Sequence, residues 1–464
     1  MKKKLLNSLL IATLLIFGLS NKITAQSFAC GTNYSLVICD NNTAMSMGNN
    51  SDGQLGNGGG GYSFSPVQVS VLTGVIAIAG GDGHALALKD DKTVWTWGSG
   101  YSGELGNGII TYSAIPLLVS GLSDVQAISG GGSFNLVLKN DGTIQGWGHN
   151  GFGQLGNGTY IQSNVPVAIN SLTSIVAVSG GYQHALALNS KGQVYGWGAN
   201  GSGQLGSILS DSSVSLPVRI AALTGITAIA AGAIHSLFLK NDGTVWASGY
   251  NSDGQLGNGT NINANTPIQI TGLSGVIAIA AGRTVSIALK SDGTVWAWGN
   301  NKYSELGNGS TTNSNVPVKV SLLTGITAIA CGESSSLALK NDGTFWAWGS
   351  NNLGQYGTGS FGNSTVPVQP IGLCKVLLGV NKITEQANVS VFPNPAKGVF
   401  SVLLKSPANN ARLEIYNSTG ALIYHQNEVN IINNIDLRNE ANGLYFIKIM
   451  NNNKVLATQK LIKE

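Results

Sequence analysis

The sequence predicts an all-β protein in which one four-stranded unit is repeated seven times in a radial array and a small β-sandwich follows. Two observations predict this fold. A glycine-rich hexapeptide recurs along the 464-residue chain at intervals of 50, 50, 50, 51, 50 and 50 residues, and strand-length apolar runs lie between its copies. Repeats of this length indicate solenoids, propellers or arrays, because each unit buries its apolar surface only against its neighbours.

Three landmarks share the repeat spacing. The first hexapeptide, Gly53–Gly58, reads Gly-Gln-Leu-Gly-Asn-Gly, and a proline follows each copy at nearly the same distance. Five repeats carry a Trp-Gly pair, and Met47 and Ser248 occupy the tryptophan position in the other two. The central residues of the hexapeptides are Leu55, Leu105, Leu155, Leu205, Leu256, Leu306 and Tyr356. The tryptophans are Trp97, Trp147, Trp197, Trp298 and Trp348.

One repeat, residues 267–309, shows how the unit is built. Its four apolar or alternating runs have the length of strands, and none keeps a helical period. Asp292 and Gly293 lie between the last two runs, where Asp-Gly is a strong hairpin signal. The unit is therefore a four-stranded antiparallel meander, and a radial array of such sheets leaves only short, protected edges. The runs are Pro267–Ile270, Val276–Ala280, Ser286–Leu289 and Thr294–Trp298.

These motifs resemble the RCC1-type (regulator of chromosome condensation) repeat. The similarity rests on the hexapeptide, Trp-Gly, Asp-Gly-Thr, and the Gly-x-x-His-Ala-Leu-Ala-Leu sequence of Gly81–Leu88, and it covers residues 27–379. The resemblance implies a seven-bladed β-propeller. WD repeats fit less well, because the chain has no Trp-Asp dipeptide and the period exceeds 40 to 45 residues. Kelch repeats share the period but lack the Gly-Gln-Leu-Gly element.

The N-terminal residues are typical of a secretory signal peptide. Lys2–Lys4 precede the apolar stretch Leu5–Leu19, and Ile23-Thr24-Ala25 is a suitable cleavage site. A lipoprotein anchor at Cys30 is disfavoured, because Phe28 stands where a small residue belongs. We therefore assign residues 1–25 to the signal peptide, 26–380 to the propeller and 381–464 to a second domain.

The second domain has its own pattern of short strands, which suggests a small β-sandwich. The predicted strands are Val389–Phe392, Val399–Leu404, Arg412–Tyr416, Leu422–Tyr424, Ile431–Leu437, Leu444–Ile449 and Val455–Ile462. Its motif residues are Pro393, Asn394, Pro395, Gly420, Gly443, Tyr445 and Lys460. They resemble the type A C-terminal sorting domain of the bacterial type IX secretion system. The resemblance implies export through the periplasm, with the secretion machinery as partner, to the cell surface or the medium. A C-terminal domain that binds another partner is the alternative.

Charge gives no indication of nucleic-acid binding. The net charge of +4 comes from the predicted signal peptide, because residues 1–25 hold four lysines and no acid. Residues 26–379 hold 12 Lys and Arg against 15 Asp and Glu, and residues 380–464 hold 9 against 6. A mature chain near neutrality lacks the basic surface that binds phosphates. We expect a monomer with no transmembrane segment after cleavage.

The four cysteines leave the disulfide pattern open. Cys30, Cys39, Cys331 and Cys374 show no zinc-site spacing. Cys30 and Cys331 occupy one repeat position in the first and last repeats, which are neighbours in a closed ring. Cys30 could pair with Cys331 or with Cys374, and free buried thiols are the alternative. Whether Phe28–Cys30 and Val376–Leu378 complete one blade together is also open.

No catalytic, cofactor or metal site is predicted. His84, His184 and His235 share a repeat position that also accepts phenylalanine and valine, so local hydrogen bonding explains them better than metal binding. Glu104 and Glu305 replace the glutamine of the hexapeptide, where a polar contact explains either side chain better than catalysis.

Aromatic residues in the loops after the hexapeptides indicate a binding surface. They lie in copies one, two, three and seven, which are contiguous in a closed ring. Tyrosine mixed with Ser, Gly and Asn is typical of adaptable protein-binding loops. The candidate partner-binding residues are Tyr62, Phe64, Tyr112, Tyr160 and Phe361. The alternative is that these side chains fold under their own loops.

These observations favour a secreted or cell-surface, non-enzymatic propeller that binds an extracellular protein or glycan. The alternative is a polysaccharide-acting enzyme with its site in the propeller funnel, where Asp82 and Glu333 share a repeat position but lie two blades apart. Nucleotide exchange on a small GTPase, as in the namesake of the repeat family, conflicts with the export signals. The compact 50-residue repeats also leave no room for a long inserted wedge.

Overall fold

A computed structural model describes residues 27–207, 211–377, 389–404, 411–417, 420–451 and 454–464. The predicted signal peptide, residues 1–25, lies outside the described residues. The chain divides into two compact units, Met1–Gly379 and Val380–Glu464. Throughout the described ranges the regular structure is β-strand, and no helix there is long and apolar enough to span a membrane. The predicted all-β class is confirmed.

The first unit is a ring of seven four-stranded antiparallel sheets, one for each repeat. In every sheet the strands pair in chain order, which confirms the predicted meander. The first strands are Phe28–Cys30, Val75–Gly80, Val125–Gly130, Ile175–Gly180, Ile226–Ala231, Val276–Ala281 and Ile326–Cys331. The second strands are Tyr34–Ile38, His84–Lys89, Phe134–Lys139, His184–Asn189, His235–Lys240, Val285–Lys290 and Ser335–Lys340. The third strands are Ala44–Gly48, Val94–Gly98, Ile144–Gly148, Val194–Ala199, Val245–Gly249, Val295–Gly299 and Phe345–Gly349. The fourth strands are Ser63–Gln68, Ser113–Leu118, Ser163–Ala168, Ser213–Arg219, Ala264–Gln269, Ser314–Lys319 and Ser364–Val368.

The hairpin between the second and third strands has the chemistry that the Asp-Gly-Thr motif predicts. In blade 3, Asp141 Oδ1 accepts hydrogen bonds from the backbone N–H of Thr143 at 3.0 Å and from its hydroxyl at 2.6 Å. Gly142 between them has a φ of 78°, which a side chain would disfavour. These contacts close the turn and set the register of the two strands.

The hexapeptide of one blade contacts the tryptophan of the Trp-Gly pair in the next blade. Trp147 is fully buried, and its Nε1 donates to the backbone carbonyl of Glu104, in the hexapeptide of the preceding blade, at 2.7 Å. A Cβ on Gly106 would lie 2.7 Å from Trp147 Nε1. The same indole contact recurs for Trp97, Trp197, Trp298 and Trp348. The hexapeptide is therefore a structural element that packs one blade on the next.

Replacing Trp147 by alanine should lower the free energy of unfolding of the propeller by about 4 kcal/mol, because a large buried side chain and its hydrogen bond are lost. Ser248 occupies the same position in blade 5 and makes only a 3.4 Å contact with the Gln204 carbonyl. The matched change Ser248→Ala should therefore cost less than about 1 kcal/mol. Urea denaturation followed by tryptophan fluorescence measures both changes. Equal losses in the two variants would contradict this role of the indole.

Blade 1 is completed by both ends of the propeller sequence. Phe28–Cys30 pairs with residues 35–37 of the second strand, and Val376 forms a bridge with Cys39. Leu377 N–H donates to the Ile38 carbonyl at 2.8 Å. Val376 is 2% exposed and lies one repeat after Ile326, at the buried position that begins every other first strand. The ring is therefore closed by a first strand assembled from two chain segments.

A disulfide holds the ring closed, and it is neither of the two pairs that were predicted for Cys30. Cys39 and Cys374 are bonded, with Cα atoms 5.6 Å apart, whereas Cys30 and Cys331 are free. The pairing of Cys30 with Cys331 or with Cys374 was therefore wrong. The physical reason is the composite strand, which places Cys374 two residues before Val376 and so beside Cys39. Burial raises the pKa of both free thiols, to about 12 for Cys331, which keeps them protonated.

The second unit consists of a three-stranded and a four-stranded antiparallel sheet. Their buried faces share one apolar core that includes Phe400, Leu413 and Ile447, as a sandwich requires. The three-stranded sheet contains Val389–Phe392, Val399–Leu404 and Ile432–Asp436. The four-stranded sheet contains Leu422–Gln426, Ala411–Asn417, Gly443–Asn451 and Lys454–Lys463. The seven predicted strands are all present, with small shifts at their ends.

Candidate functional site

One face of the propeller carries all the sequence-predicted binding loops. Strand direction alternates within each blade, so the connections between first and second strands lie at the same end as those between third and fourth strands. We call this end the loop face. The third-to-fourth connections contain the hexapeptides and run through residues 49–62, 99–112, 149–162, 200–212, 250–263, 300–313 and 350–363. Residues 208–210 of the fourth connection lie outside the described ranges.

The predicted aromatic residues of the loop face are mostly exposed. Phe64 is the exception, because it is half-buried and packs against Phe361 with ring centroids 5.9 Å apart. This contact joins the aromatic loops of blades 7 and 1. The exposed fractions of the others are 57% for Tyr62, 54% for Tyr112, 50% for Tyr160 and 72% for Phe361. These four side chains do not fold under their own loops.

Four further exposed aromatic residues lie on the loop face and were missed. Tyr101, Phe152 and Tyr303 lie one or two residues before hexapeptides, and Tyr182 lies in a connection between first and second strands. Only the residues after each hexapeptide were compared between copies. The same repeat register applied to the preceding residues would have found them.

The first strands enclose a central cavity of about 550 Å³ that opens among the connections between first and second strands. Its wall is largely glycine backbone. The glycines allow the blades to approach closely, since a Cβ on Gly130 would lie 2.6 Å from the carbonyl oxygen of Gly80. Backbone atoms therefore line the channel, and side chains enter it chiefly at one level.

That level is formed by one residue from each blade, which we call the mouth ring. Six of its seven residues donate a backbone N–H to a carbonyl of the next blade, at 2.9 to 3.3 Å, so the ring is held rigidly. The mouth ring is Thr32, Asp82, Gly132, Tyr182, Ala233, Arg283 and Glu333. From the sequence, Asp82 and Glu333 were assigned to this repeat position, but Tyr182 and Arg283 were not.

The charged groups of the mouth ring are partnered unequally. Arg283 forms an ion pair with Glu333. Asp82 Oδ1 accepts a hydrogen bond from the Thr32 hydroxyl at 2.8 Å, and its charge raises the pKa of Tyr182. Burial raises the pKa of Asp82 itself, against the lowering effect of the Thr32 hydrogen bond. Asp82 is thus a partly desolvated carboxylate supported by hydroxyl groups.

The arrangement does not resemble a pair of carboxylates prepared for acid–base chemistry. Glu333 is neutralised by Arg283, and Asp82 already accepts a hydrogen bond from Thr32. In the described residues, no three His, Cys, Asp or Glu side chains are grouped so that they could hold a metal ion. What the ring offers is a set of fixed donors and acceptors around a narrow channel.

The two faces of the propeller differ strongly in charge. Within residues 27–377 the loop face carries seven acidic and two basic residues. The basic residues are Arg283 and Lys302. The acidic residues are Asp52, Asp82, Glu104, Asp211, Asp253, Glu305 and Glu333. The opposite face carries eight acidic and ten basic residues, in its loops and strand ends. The near-neutral total therefore conceals a negative loop face.

The hexapeptide glutamates make local polar contacts, as predicted, whereas the histidines form hydrogen bonds across blades rather than within their own. Glu104 Oε2 accepts the backbone N–H of Ser102 at 2.7 Å, and Glu305 Oε2 accepts that of Tyr303 at 2.8 Å. Each histidine bonds through Nε2 to a side chain of the following blade. The pairs are His84 with Asn135 at 2.8 Å, His184 with Ser236 at 3.0 Å and His235 with Ser286 at 2.9 Å.

The motif residues of the second unit are placed along one sheet and the segment that meets it. Asn394, between Pro393 and Pro395, accepts the backbone N–H of Ile462 through Oδ1 at 2.9 Å. Tyr445 is buried, and its hydroxyl donates to the Ala441 carbonyl at 2.6 Å. Three motif residues lie at strands or their turn: Gly420 before Leu422–Gln426, Gly443 at the start of a strand and Lys460 opposite Phe446.

Comparison with protein families gives four matches, three to RCC1-type families and one to a sorting domain. The RCC1-like domain family matches residues 110–390, more than half of the chain. The RCC1 repeat matches residues 25–54 and 75–104, and a second description of the same repeat matches residues 44–88. The secretion system C-terminal sorting domain matches residues 390–464. A search of curated protein sequences found no match.

Solved structures with the same propeller fold were also found. Human WBSCR16 is 26% identical, with a TM-score of 0.63 over 68% of this chain and 87% of that chain. Prp20p from Saccharomyces cerevisiae is 21% identical, with a TM-score of 0.64 over 79% of this chain and 90% of that chain. Yeast RCC1 (Prp20) bound to Kap60 is 19% identical, with a TM-score of 0.64 over 80% and 88%. The seven-bladed fold is thereby confirmed.

Proposed function

The chain belongs to the RCC1-like domain family, and on that basis we propose that its propeller is a non-enzymatic binding module whose loop face recognises an extracellular protein or glycan. The sorting domain indicates export through the type IX route, to the cell surface or the medium. The binding role is supported above all by the exposed aromatic residues of the loop face.

Exposed aromatic side chains on rigid loops are suited to recognition. Tyr62, Tyr112 and Tyr160 are each at least half exposed, and a clustered set of this kind is more than a folded monomer needs. Tyrosine contributes a large amphipathic contact area at low entropic cost. The loops that carry them are anchored by buried asparagines, such as Asn150, whose Oδ1 accepts the Leu155 N–H at 2.9 Å.

Replacing Tyr62, Tyr112 and Tyr160 together by serine should weaken partner binding at least about a hundredfold and so sharply reduce recovery, because interface aromatic residues commonly contribute 1 kcal/mol or more each. The purified mature chain is used to capture proteins and glycans from the culture medium and cell surface, with quantification by mass spectrometry and a glycan array. A matched triple variant, Val71→Ser, Leu322→Ser and Ile371→Ser, removes exposed apolar residues from the opposite face and should leave recovery unchanged.

Equal recovery by the wild type and a correctly folded tyrosine variant would overturn the proposal. Retention on the glycan array alone would identify the partner as a glycan. Release of soluble sugars from polysaccharides by the purified propeller, abolished by Asp82→Asn, would replace binding with an enzymatic function.

A further inference from the structure

We propose that the central cavity receives the ammonium group of a lysine side chain from a protein partner, with Asp82 as its counter-ion. The identity of the partner as a protein rests on the proposed function, whereas the preference of the cavity for a primary ammonium group does not. Three features of the mouth ring and of the face around it support the assignment.

The first feature is the shape and lining of the cavity. It is a channel of about 550 Å³ whose walls are the backbone and Cα atoms of glycines such as Gly81, Gly131 and Gly181. A side chain from a partner on the loop face meets the mouth ring before this wall, and an unbranched aliphatic stem needs no hydrogen bonds along its length as it enters. Most of the polar side chains that line the cavity belong to the mouth ring, so the terminal ammonium group lies beside them at the entrance.

The second feature is the unequal pairing of charge in the mouth ring. Arg283 is already bound to Glu333, so those two charges cancel. Asp82 accepts a hydrogen bond from the neutral Thr32 hydroxyl and lies close to Tyr182, and the ring as a whole keeps one net negative charge. Burial makes the charge of Asp82 costly. An entering cation is therefore favoured, because it attracts the carboxylate directly and compensates for the water that the carboxylate has lost.

The third feature is the charge of the surrounding face. The loop face holds seven acidic residues and two basic ones, whereas the opposite face holds eight and ten. An excess of one sign on one face attracts partners of the opposite sign and orients them before contact. A basic protein would therefore arrive with the loop face towards it, and the exposed tyrosines would contact the surface around the inserted lysine.

Other ligand classes fit less well. An anionic ligand would be repelled by Asp82 and by the overall charge of the loop face. A neutral sugar could hydrogen-bond to the mouth ring, but it would leave the charge of Asp82 without a counter-ion. A guanidinium group is broader and is held best by a bidentate contact with a carboxylate, whereas Thr32 already occupies one oxygen of Asp82.

The test uses ligand-observed saturation-transfer NMR on the mature full-length chain. The probe is acetyl-Gly-Lys-Gly-amide, and the comparison ligands are its norleucine counterpart and methyl β-glucoside. We expect the lysine peptide to bind with a Kd on the order of 1 mM, with the strongest saturation at its Cδ and Cε protons. The norleucine peptide and the glucoside should bind at least about tenfold more weakly, because neither carries a cation.

Asp82→Asn should weaken lysine-peptide binding by about tenfold, which is the loss of one charged hydrogen bond. Asp124→Asn makes the same change in net charge on the opposite face and should leave binding unchanged. If Asp82→Asn does not fold, Ala233→Phe provides an independent test, because it narrows the mouth at a position where the repeat already accepts Tyr182. That variant should also weaken binding.

Equal binding of the lysine and norleucine peptides, preference for the glucoside, or full binding by Asp82→Asn would overturn the proposal. The outcome is separate from that of the proposed function. Loss of peptide binding with intact partner capture refutes only the lysine site. Peptide binding together with unchanged partner capture by the triple tyrosine variant refutes only the role of the aromatic loops.

Discussion

Replacement of Cys39 and Cys374 by serine should lower the free energy of unfolding of the propeller by about 5 kcal/mol. The disulfide joins residues 335 positions apart, so it encloses nearly the whole ring. A cross-link over so long a loop removes much of the conformational freedom of the unfolded chain. The loss is comparable to the entire stability of many domains.

The location of the bond gives the loss a structural consequence. Val376 forms a single bridge to Cys39, and Leu377 adds one backbone hydrogen bond to Ile38. Without the disulfide, these contacts, the hydrogen bond from the Asp40 N–H to the Lys375 carbonyl at 2.8 Å and the packing of Val376 in the core would hold the C-terminal segment of the composite strand. We therefore expect opening of the ring to begin in blade 1, with Val376 becoming exposed before the other blades separate.

Urea denaturation of the double variant and the wild type measures the effect, and hydrogen exchange at Ile38 and Leu377 reports where opening begins. The matched control is Cys30→Ser with Cys331→Ser, which removes the two free thiols and should cost much less. Thiol labelling of the denatured, unreduced wild type should modify Cys30 and Cys331 only. A loss below about 1 kcal/mol in the disulfide variant would show that strand pairing alone closes the ring.

The repeat register determined most of the fold in advance, but it failed where residues from different repeats meet. Strand order, hairpins and the role of Glu104 followed from one repeat, because they depend on local geometry, whereas the hydrogen bond of His184 reaches Ser236 in the next blade. The disulfide did not, because it depends on which chain segment completes blade 1. The 50-residue step from Ile326 to Val376 is visible in the sequence, but only the structure shows that Val376 lies opposite Cys39.

The mouth ring shows the same limit from the functional side. Equal spacing places Asp82, Tyr182 and Arg283 at one level of the ring. Their mutual influence depends on the diameter of the channel, which the close approach of glycine backbones makes small. Exposure of the loop aromatics was likewise undecided by sequence, because Phe64 and Tyr62 have similar composition around them but differ in packing.

Acidification should destabilise the propeller strongly through His184 and His235. Burial lowers the pKa of His184 to about 4 and that of His235 to about 3, where repulsion from His184 contributes as well. In the unfolded chain both pKa values are near 6.5. Between those values the unfolded chain binds more protons than the folded one, so stability is complete above about pH 6.5 and decreases as the pH falls.

The decrease should end near pH 4 for His184 and near pH 3 for His235, at about 1.4 kcal/mol for each unit of pKa difference. The two contributions, about 3 and about 5 kcal/mol, together approach the whole stability of a typical domain. Hairpin carboxylates add a separate loss at lower pH. Asp342, whose pKa is lowered to about 2 by hydrogen bonds from Thr344, loses its contribution only as the pH falls from about 4 towards 2.

The double variant His184→Phe with His235→Val isolates the histidine effect, because Phe134 and Val285 already occupy this position in other blades. Urea denaturation at intervals from pH 7 to pH 4 should show the wild type losing several kcal/mol more than the variant. His149→Gln, a change at the loop face, should follow the wild type. Parallel loss in the wild type and the double variant would assign acid sensitivity to the carboxylates instead. A difference that begins near pH 6.5 and grows as the pH falls would assign it to the two inter-blade histidines, whose neutral rings hydrogen-bond to side chains of the following blade.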